Sequence, residues 1–285
     1  MERHIFQERA SGVLLHISSL PGKYGIGSLG KEAYEFVDSL ARCGVRYWQI
    51  LPIVQTGFGD SPYQSVYTGS GNPYFIDLEL LVREKLLRKS EIIGSTYKCG
   101  LIDYAKLFTE RYKILRLAFS RFDIRQKDFS AFVQEGKFEG YALFQALKEK
   151  FGGISFDCWP TEYKFAQKRA LKKFRNENSR EILFWLFVQF EVFRQWKNLK
   201  AYANKRGVYI IGDIPLYPRG SIGIRSFRRY QYGQRADTYD RAARLADDVY
   251  DSYFEYDGLV RRKRSYSVIH QRRMGNVHDR VLDFR

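Results

Sequence analysis

The chain has 285 residues, of which 45% are apolar and 16% aromatic, and its formal net charge is +16. This composition excludes a disordered chain and predicts a globular protein with one large or two modest cores. No apolar run reaches the roughly 20 residues of a membrane span, and the first residues lack the apolar stretch of a signal peptide. We therefore expect a soluble, cytoplasmic protein. The cysteines, Cys43, Cys99 and Cys158, are scattered, which argues against a disulfide framework or a zinc site.

A β-α-β unit is predicted over residues 12–53. Gly12–Ile17 has the pattern of a first strand and is followed by turn-forming residues. A helix is expected after Gly30 and ends at Gly44, and Val45–Ile53 has the pattern of a second strand, parallel to the first. The helix is indicated by apolar residues at helical spacing, namely Ala33, Phe36, Val37, Leu40 and Ala41. His16 lies within the first strand pattern and is predicted to be packed and hydrogen-bonded to its neighbours.

Three glycines, Gly25, Gly27 and Gly30, match the dinucleotide fingerprint Gly-x-Gly-x-x-Gly. That fingerprint needs a strand running directly into the glycines and an acidic residue about 20 positions later. Here residues 20–24 intervene, and Trp48–Pro52 contains no acid. The glycines are better explained as the loop that leads into the first helix, and a dinucleotide-binding enzyme is the alternative.

A long loop over residues 56–73 is rich in glycine, proline, hydroxyl groups and aromatic rings. Loops of this length are uncommon in compact domains unless they are functional or disordered. Aromatic rings among small polar residues are typical of a sugar site, where rings stack on the sugar and hydroxyls bond its rim. A well-packed surface loop is the alternative.

Residues 78–150 are predicted to be largely helical, and Lys106–Phe119 is the clearest amphipathic run. The basic residues between Lys164 and Arg175 are expected to form a solvated face. Asn178–Glu181 resembles a capping box that begins a long helix. That helix is expected to bury Ile182, Leu186, Phe190, Phe193 and Leu199.

The stretch Gly207–Tyr217 is predicted to contain a third strand that is covered on both faces, because Val208–Ile211 is a continuous apolar run. Asp213 follows at the carboxyl end of this strand. Ligands of α/β proteins bind at that end, so Asp213 is a candidate site residue. An aspartate that caps the turn before Pro215 is the alternative.

Residue usage changes sharply after Pro218. Residues 219–285 contain one lysine against 14 arginines, and one glutamate against eight aspartates, whereas lysine and arginine are nearly even before this point. Such a change indicates either a different structural module or a segment whose coding sequence has a different origin.

Several motifs together closely resemble the amino-terminal part of the 4-α-glucanotransferases, the amylomaltases or disproportionating enzymes of glycoside hydrolase family 77. The resemblance is collinear over about three quarters of the chain. It is carried by Ser11–Gly30, Trp48–Pro52, Asp60–Gln64, Gly71–Pro73, Phe151–Gly153, Trp159–Pro160, Phe193–Trp196, Leu199–Asn204 and Ile210–Pro215.

The resemblance implies an α/β fold, a (β/α)8 TIM barrel with helical insertions, and transfer of α-1,4-glucan segments between maltooligosaccharides. It places Ser61, Tyr63 and Asp213 against the donor sugar near the scissile bond. The family's mechanism retains configuration through an aspartate nucleophile and a glutamate acid/base. No metal or organic cofactor is implied.

The resemblance ends at Pro218, and residues 218–285 are hypothesised to be a shifted reading frame or another coding lesion, or disordered. The family's nucleophile and acid/base belong to later strands, so no catalytic residue is expected in this chain. Arg280–Arg285 faintly echoes the nucleophile motif but lacks its histidine, and the role is not carried over to Asp283. With three of eight strands present, an incomplete barrel with an unpaired apolar edge, poor stability and no transferase activity are expected.

The predicted division has four parts. Residues 1–77 form the first barrel unit with the substrate loop, 78–160 a helical insertion, 161–217 the long helix with the third strand, and 218–285 the aberrant tail. The alternatives to a transferase are a non-catalytic maltooligosaccharide-binding remnant and, ranked below it, an RNA-binding protein that uses the arginine- and tyrosine-rich tail.

Overall fold

The computed structural model describes residues 9–57, 59–65, 67, 69–93 and 101–213. The predicted tail, and the part of the third strand pattern after Asp213, lie outside these residues. Within them, short strands form a parallel sheet in the order β1-β2-β3, with Gly12–Leu14 as β1, Tyr47–Gln49 as β2 and Tyr209–Ile211 as β3. No helix in the described part is long and apolar enough to cross a membrane.

Helices are present in each region where the sequence predicted them, namely after Gly30, within residues 78–150 and after Asn178. The first, α1, spans Lys31–Arg42 between β1 and β2, and confirms the predicted β-α-β unit. The others lie between β2 and β3, and are α2 (Leu78–Arg83), α3 (Lys89–Ile93), α4 (Tyr104–Arg121), α5 (Lys127–Gln134), α6 (Glu139–Lys150), α7 (Thr161–Lys164), α8 (Lys168–Glu177) and α9 (Ser179–Lys205).

The strands are shorter than the sequence patterns predicted. After β1, Ile17–Ser19 turns into a 3-10 helix, so the prediction that the strand reaches Ile17 is wrong. After β2, the chain leaves the ladder before Pro52, which has no N–H to donate to it. The strand β3 is half-buried, whereas the sequence predicted a third strand that is covered on both faces.

The sheet has one face against helices. Trp48 on β2 is fully buried, and its ring meets Phe36 of α1 edge-on at 5.1 Å. Ile210 is in register with Trp48 and packs against the same core. Leu14, whose side chain is on the other face, is 59% exposed. Among the described residues, β1 and β3 each have a strand on one side only.

The same local structure leads the chain into β2 and into β3. Gly44 after α1 and Gly207 after α9 both have positive φ angles, +69° and +74°. In each case the residue after the glycine donates a backbone hydrogen bond five residues back, from Val45 to Leu40 and from Val208 to Ala203. This is the Schellman ending of a helix, in which glycine reverses the chain at little cost. It confirms the predicted end of the first helix at Gly44.

The long helix α9 is the centre of the core. The residues that the sequence predicted to be buried on it are buried, and α6 packs along its length. Phe122, Phe129, Phe187 and Phe190 form an aromatic cluster between α9 and the helices α4 and α5, with ring centroids 4.6 to 6.0 Å apart. The predicted basic run around α8 lies mostly at the surface.

The predicted capping box at the start of α9 is wrong. The Asn178 side chain makes no cap bond and instead donates to the Phe174 carbonyl, 3.0 Å away, at the end of α8. Glu181 pairs with Arg116 of α4, with 2.7 Å between Oε1 and Nη2. Asn178 bonds to the end of the preceding helix and Glu181 to α4, so neither side chain caps α9.

Candidate functional site

The carboxyl ends of the three parallel strands lie at one edge of the sheet, and each is followed by a polar residue or loop. His16 follows β1, the long loop of residues 56–73 follows β2, and Asp213 follows β3. Because the strands are parallel and in register, these segments are neighbours. Ligand sites of α/β proteins lie at this edge.

The tip of the loop is a tight hairpin. Thr56 and Ser65 form an isolated antiparallel bridge, and the Gln64 carbonyl accepts a hydrogen bond from the Gly57 amide at 3.1 Å. Ser61 and Gln64 close the turn, with 3.0 Å between the Ser61 carbonyl oxygen and the Gln64 nitrogen. These bonds close the turn that carries Tyr63.

Tyr63 and Asp213 are brought into direct contact. The Tyr63 phenol donates a hydrogen bond of 2.8 Å to the Asp213 Oδ2 atom, across 150 positions of sequence. This bond is the main cause that raises the pKa of Tyr63, with smaller effects from burial and from the charge of Asp213. The Tyr63 phenol is therefore harder to ionise than an ordinary tyrosine, and its hydroxyl is held beside a carboxylate.

Ser61 is linked to this pair through the turn. Its Oγ atom accepts a hydrogen bond of 3.3 Å from the Tyr63 amide, which fixes the backbone that carries the phenol. The structure thus links Ser61 to Tyr63, and Tyr63 to Asp213.

Asp60, which the sequence reasoning did not select as a site residue, shapes the same turn. Its φ angle of 51° is in the left-handed region, and its Oδ1 atom accepts a hydrogen bond of 3.1 Å from the Thr56 hydroxyl. Burial raises the pKa of Asp60, and the bond from Thr56 opposes that rise. The sequence signal was Gly59-Asp60-Ser61-Pro62, since aspartate tolerates the left-handed conformation in turns.

His16 differs from its prediction. It lies after β1 rather than inside it, and its Nδ1 atom has no hydrogen-bond partner among the described residues. The imidazole is 8% exposed and meets the Phe75 ring edge-on at 5.4 Å. Burial lowers the pKa of His16 to about 4, so the imidazole is neutral at pH 7. His16 is a packed residue as predicted, but its Nδ1 atom lacks the expected hydrogen bond and the ring contacts Phe75.

The glycines of the apparent dinucleotide fingerprint allow close packing. A Cβ atom on Gly27 would lie 1.9 Å from the Ile17 carbonyl oxygen, and one on Gly30 would lie 1.9 Å from Oδ2 of Asp77. Asp77 caps α2, and Gly30 precedes α1. These contacts explain Gly27 and Gly30 without a bound phosphate, and Gly25 has a φ angle of +86°, which favours glycine. Among the described residues, no group of three histidine, cysteine or carboxylate side chains is placed to hold a metal ion.

Solved structures show the class of protein. An amylomaltase from Streptococcus agalactiae, in complex with acarbose, matches with a TM-score of 0.70 and 40% identity, over 74% of this chain and 44% of that chain. An amylomaltase from Corynebacterium glutamicum, at 20% identity and a TM-score of 0.54, supports the fold alone. The described part of the chain is thus α-rich with a small parallel sheet, and its structural neighbours are amylomaltases with a TIM-barrel fold.

Sequence comparison gives the family. A 4-alpha-glucanotransferase of Clostridium butyricum is 46% identical over 208 residues, which are 71% of this chain and 43% of that protein. One from Streptococcus pneumoniae is 43% identical over 220 residues, covering 74% and 43%. The family model of glycoside hydrolase family 77, 4-alpha-glucanotransferase, matches residues 15–221. The chain belongs to this family, and it spans less than half the length of the curated relatives that it matches.

Proposed function

We propose that this chain carries the donor-sugar side of a 4-α-glucanotransferase site, and that it binds α-1,4-linked glucans through Tyr63, Asp213 and Ser61. The observation that carries the proposal is the hydrogen bond between Tyr63 and Asp213 at the carboxyl edge of the sheet. A phenol ring held at a fixed angle provides a surface for the apolar face of a sugar ring. A carboxylate beside it accepts hydrogen bonds from sugar hydroxyls.

The proposed reaction of the whole enzyme is retaining transfer of glucan segments between maltooligosaccharides. Such a reaction needs a carboxylate nucleophile and a second carboxyl group about 5 Å away as acid/base. The resemblance assigns neither group to the described residues. We therefore propose that residues 9–213 bind glucan without turning it over. The division at residues 77, 160 and 217 stays a prediction, as does the frameshift hypothesis for residues 218–285, which lie outside the described part.

Isothermal titration calorimetry with maltoheptaose tests the binding. We expect measurable binding by the 285-residue chain, a large loss of affinity in Tyr63→Ala and a smaller loss in Tyr63→Phe, which keeps the ring. Tyr202 offers a matched control, because its phenol donates to Asp38 at 2.9 Å in the same kind of pair on the outer side of α1 and α9. Tyr202→Ala should bind maltoheptaose like the wild type.

A second measurement tests the absence of turnover. Incubation of the chain with maltotriose should release no glucose and form no longer oligosaccharides. Disproportionation that is lost in Asp213→Asn would show that the chain is catalytically complete, and would overturn the non-catalytic part of the proposal. Absence of maltoheptaose binding by a folded wild-type chain would overturn the sugar site itself.

A further inference from the structure

The loop that carries Tyr63 is closed at its base by a backbone hydrogen bond. The Asn72 amide donates to the Ile53 carbonyl at 2.8 Å, so the chain enters and leaves the loop at one point. A loop with its ends together still has freedom at its base unless other groups hold it. Two buried glutamines supply such contacts here.

Gln189 of α9 holds the end of the loop. Its side chain is fully buried, its Oε1 atom accepts from the Gly71 amide at 2.7 Å, and its Nε2 atom donates to the Gly71 carbonyl at 3.2 Å. The loop backbone lies directly on the helix, since a Cβ atom on Gly71 would be only 2.2 Å from Cγ1 of Val192. One side-chain amide thus satisfies both backbone polar groups of the buried Gly71. Such groups are costly to leave unpaired when they are buried.

Gln55 holds the start of the loop. Its Oε1 atom accepts from the Tyr141 hydroxyl and from Nε2 of Gln145, the latter at 3.0 Å, and its Nε2 atom donates to the Tyr112 hydroxyl at 3.3 Å. These partners lie on α4 and α6. Tyr67 adds a ring contact to Tyr141, with 5.7 Å between centroids. Helices α4 and α6 therefore hold the start of the loop, and α9 holds its end.

We propose that Gln189 is a positioning residue for the sugar site, and that it sets the height of Tyr63 above the sheet by fixing Gly71 to α9. Gln55 supports the other side of the same loop. The proposal rests on the proposed function, because it concerns how the donor-sugar residues are held. The polar position within the apolar pattern of α9 was the sequence signal: a glutamine between Val188 and Phe190 has no solvent face to occupy.

The chain contains a matched control on the same helix. Gln195 is 2% exposed, and its amide accepts from the Asp77 nitrogen at 2.8 Å and donates to the Asp77 carbonyl at 3.5 Å. It makes the same pair of bonds as Gln189, but to a peptide at the start of α2, outside the loop. Gln189→Met and Gln195→Met therefore remove the same chemistry from two places, only one of which carries the sugar site.

The experiment compares the two variants by urea denaturation and maltoheptaose calorimetry. Both should lower the urea midpoint to a similar degree, whereas only Gln189→Met should weaken maltoheptaose binding, by about tenfold or more, the scale of a lost buried hydrogen bond. Equal loss of affinity in both variants, or none in a folded Gln189→Met, would overturn the proposal. If Gln189→Met does not fold, Gln55→Met makes the same comparison from the other side of the loop.

The pKa of Tyr63 gives a readout that needs no sugar. Displacement of the loop in Gln189→Met should break the bond to Asp213 and lower the pKa of Tyr63, as read by spectrophotometric titration against Tyr63→Phe in each background. Gln195→Met should leave this pKa unchanged. If the wild type fails to bind maltoheptaose while the pKa of Tyr63 still responds to Gln189→Met, the proposed function fails and the positioning role stands. An unchanged pKa in that variant counts against the positioning role.

Discussion

Arg194 lies 2.6 Å from Glu191 on α9, measured from Nη2 to Oε2, yet the pKa of Glu191 is raised to about 7. Burial is the largest cause and outweighs the attraction of Arg194. The folded state therefore holds this proton more tightly than the unfolded chain does. The resulting stabilisation is complete below the unfolded pKa of 4.5 and is lost as the pH rises through about 7.

Glu191→Gln should remove this pH dependence. The contribution of Glu191 to the free energy of unfolding should fall by at most about 1.4 kcal/mol per pH unit across that window, the limit for one proton. Urea denaturation at several pH values between 5 and 8 measures the difference between wild type and variant. Glu162→Gln, an exposed change on α7, should follow the wild-type curve. A Glu191→Gln curve parallel to that of the wild type would contradict the prediction.

Asp213→Asn should lower the pKa of Tyr63 toward its usual value of 10.0, because the hydrogen bond to the carboxylate is the main cause of the rise. Spectrophotometric titration of the variant, with Tyr63→Phe as the reference, isolates this phenol. Asp38→Asn should instead act on Tyr202, whose raised pKa owes part of its shift to Asp38 after burial. A Tyr63 pKa that responds equally to both changes would show that the contact is not specific.

Gly71→Ala should destabilise the protein, and Val192→Ala should relieve part of the loss. An alanine Cβ at position 71 meets the Val192 side chain at 2.2 Å, a clash of the kind that costs about 1–3 kcal/mol in a packed core. Removing the valine methyl groups makes room. A double-mutant cycle by urea denaturation should show the double variant losing less than the sum of the two single losses. If the losses of the two single variants simply add, the loop moves away from α9 and the predicted clash with Val192 does not occur.

These buried contacts also show what could be read from the sequence. The helix α1 was predictable because Ala33, Val37 and Leu40 repeat at helical spacing and are buried. The parallel pairing of β1 with β2 followed from the β-α-β unit, and Asp213 was selected from its place after an apolar run. The bond between Tyr63 and Asp213 was not predictable from local pattern, since it depends on a pairing of β2 with β3 across the whole helical region.

Other predictions were wrong because the side chains of a local motif have different partners in the folded protein. Asn178 and Glu181 have the spacing of a capping box, but Asn178 bonds the nearby carbonyl of Phe174 at the end of α8, and Glu181 pairs with the guanidinium of Arg116 on α4. His16 contacts an aromatic ring, whereas the sequence predicted hydrogen bonds to its neighbours. The bonds between Gln189 and the loop could not be predicted from the sequence, because they depend on which backbone segment lies against α9.

Arg111→Lys should destabilise the protein more than an ordinary conservative change. The buried guanidinium donates to two carbonyl groups, Nη1 to Ile76 at 3.1 Å and Nη2 to Tyr24 at 2.9 Å, and so ties the loop before α1 to the start of α2. A lysine ammonium is a point donor and cannot reproduce the planar fork. A buried carbonyl without a partner costs about 1–3 kcal/mol, which urea denaturation would detect. Arg125→Lys, at an exposed position, should have almost no effect.

Leu14→Lys should reduce self-association without lowering the stability of the monomer. Leu14 is 59% exposed on β1, which among the described residues pairs only with β2, and apolar strand edges promote association. Light scattering at increasing protein concentration measures the effect. Ile154→Lys changes an apolar residue that is 47% exposed outside the sheet, and should have a smaller effect. Equal effects of the two changes would assign association to general surface hydrophobicity.

The register between β2 and β3 has a consequence for the order of folding. Tyr47 pairs with Tyr209, so every helix from α2 to α9 is synthesised before the third strand reaches its partner. Contacts of such long sequence separation form late, because the intervening chain must first be ordered. We therefore expect the hydrogen bond between Tyr63 and Asp213 to form late in folding, and the ionisation of the Tyr63 phenol would then report when β3 pairs with β2.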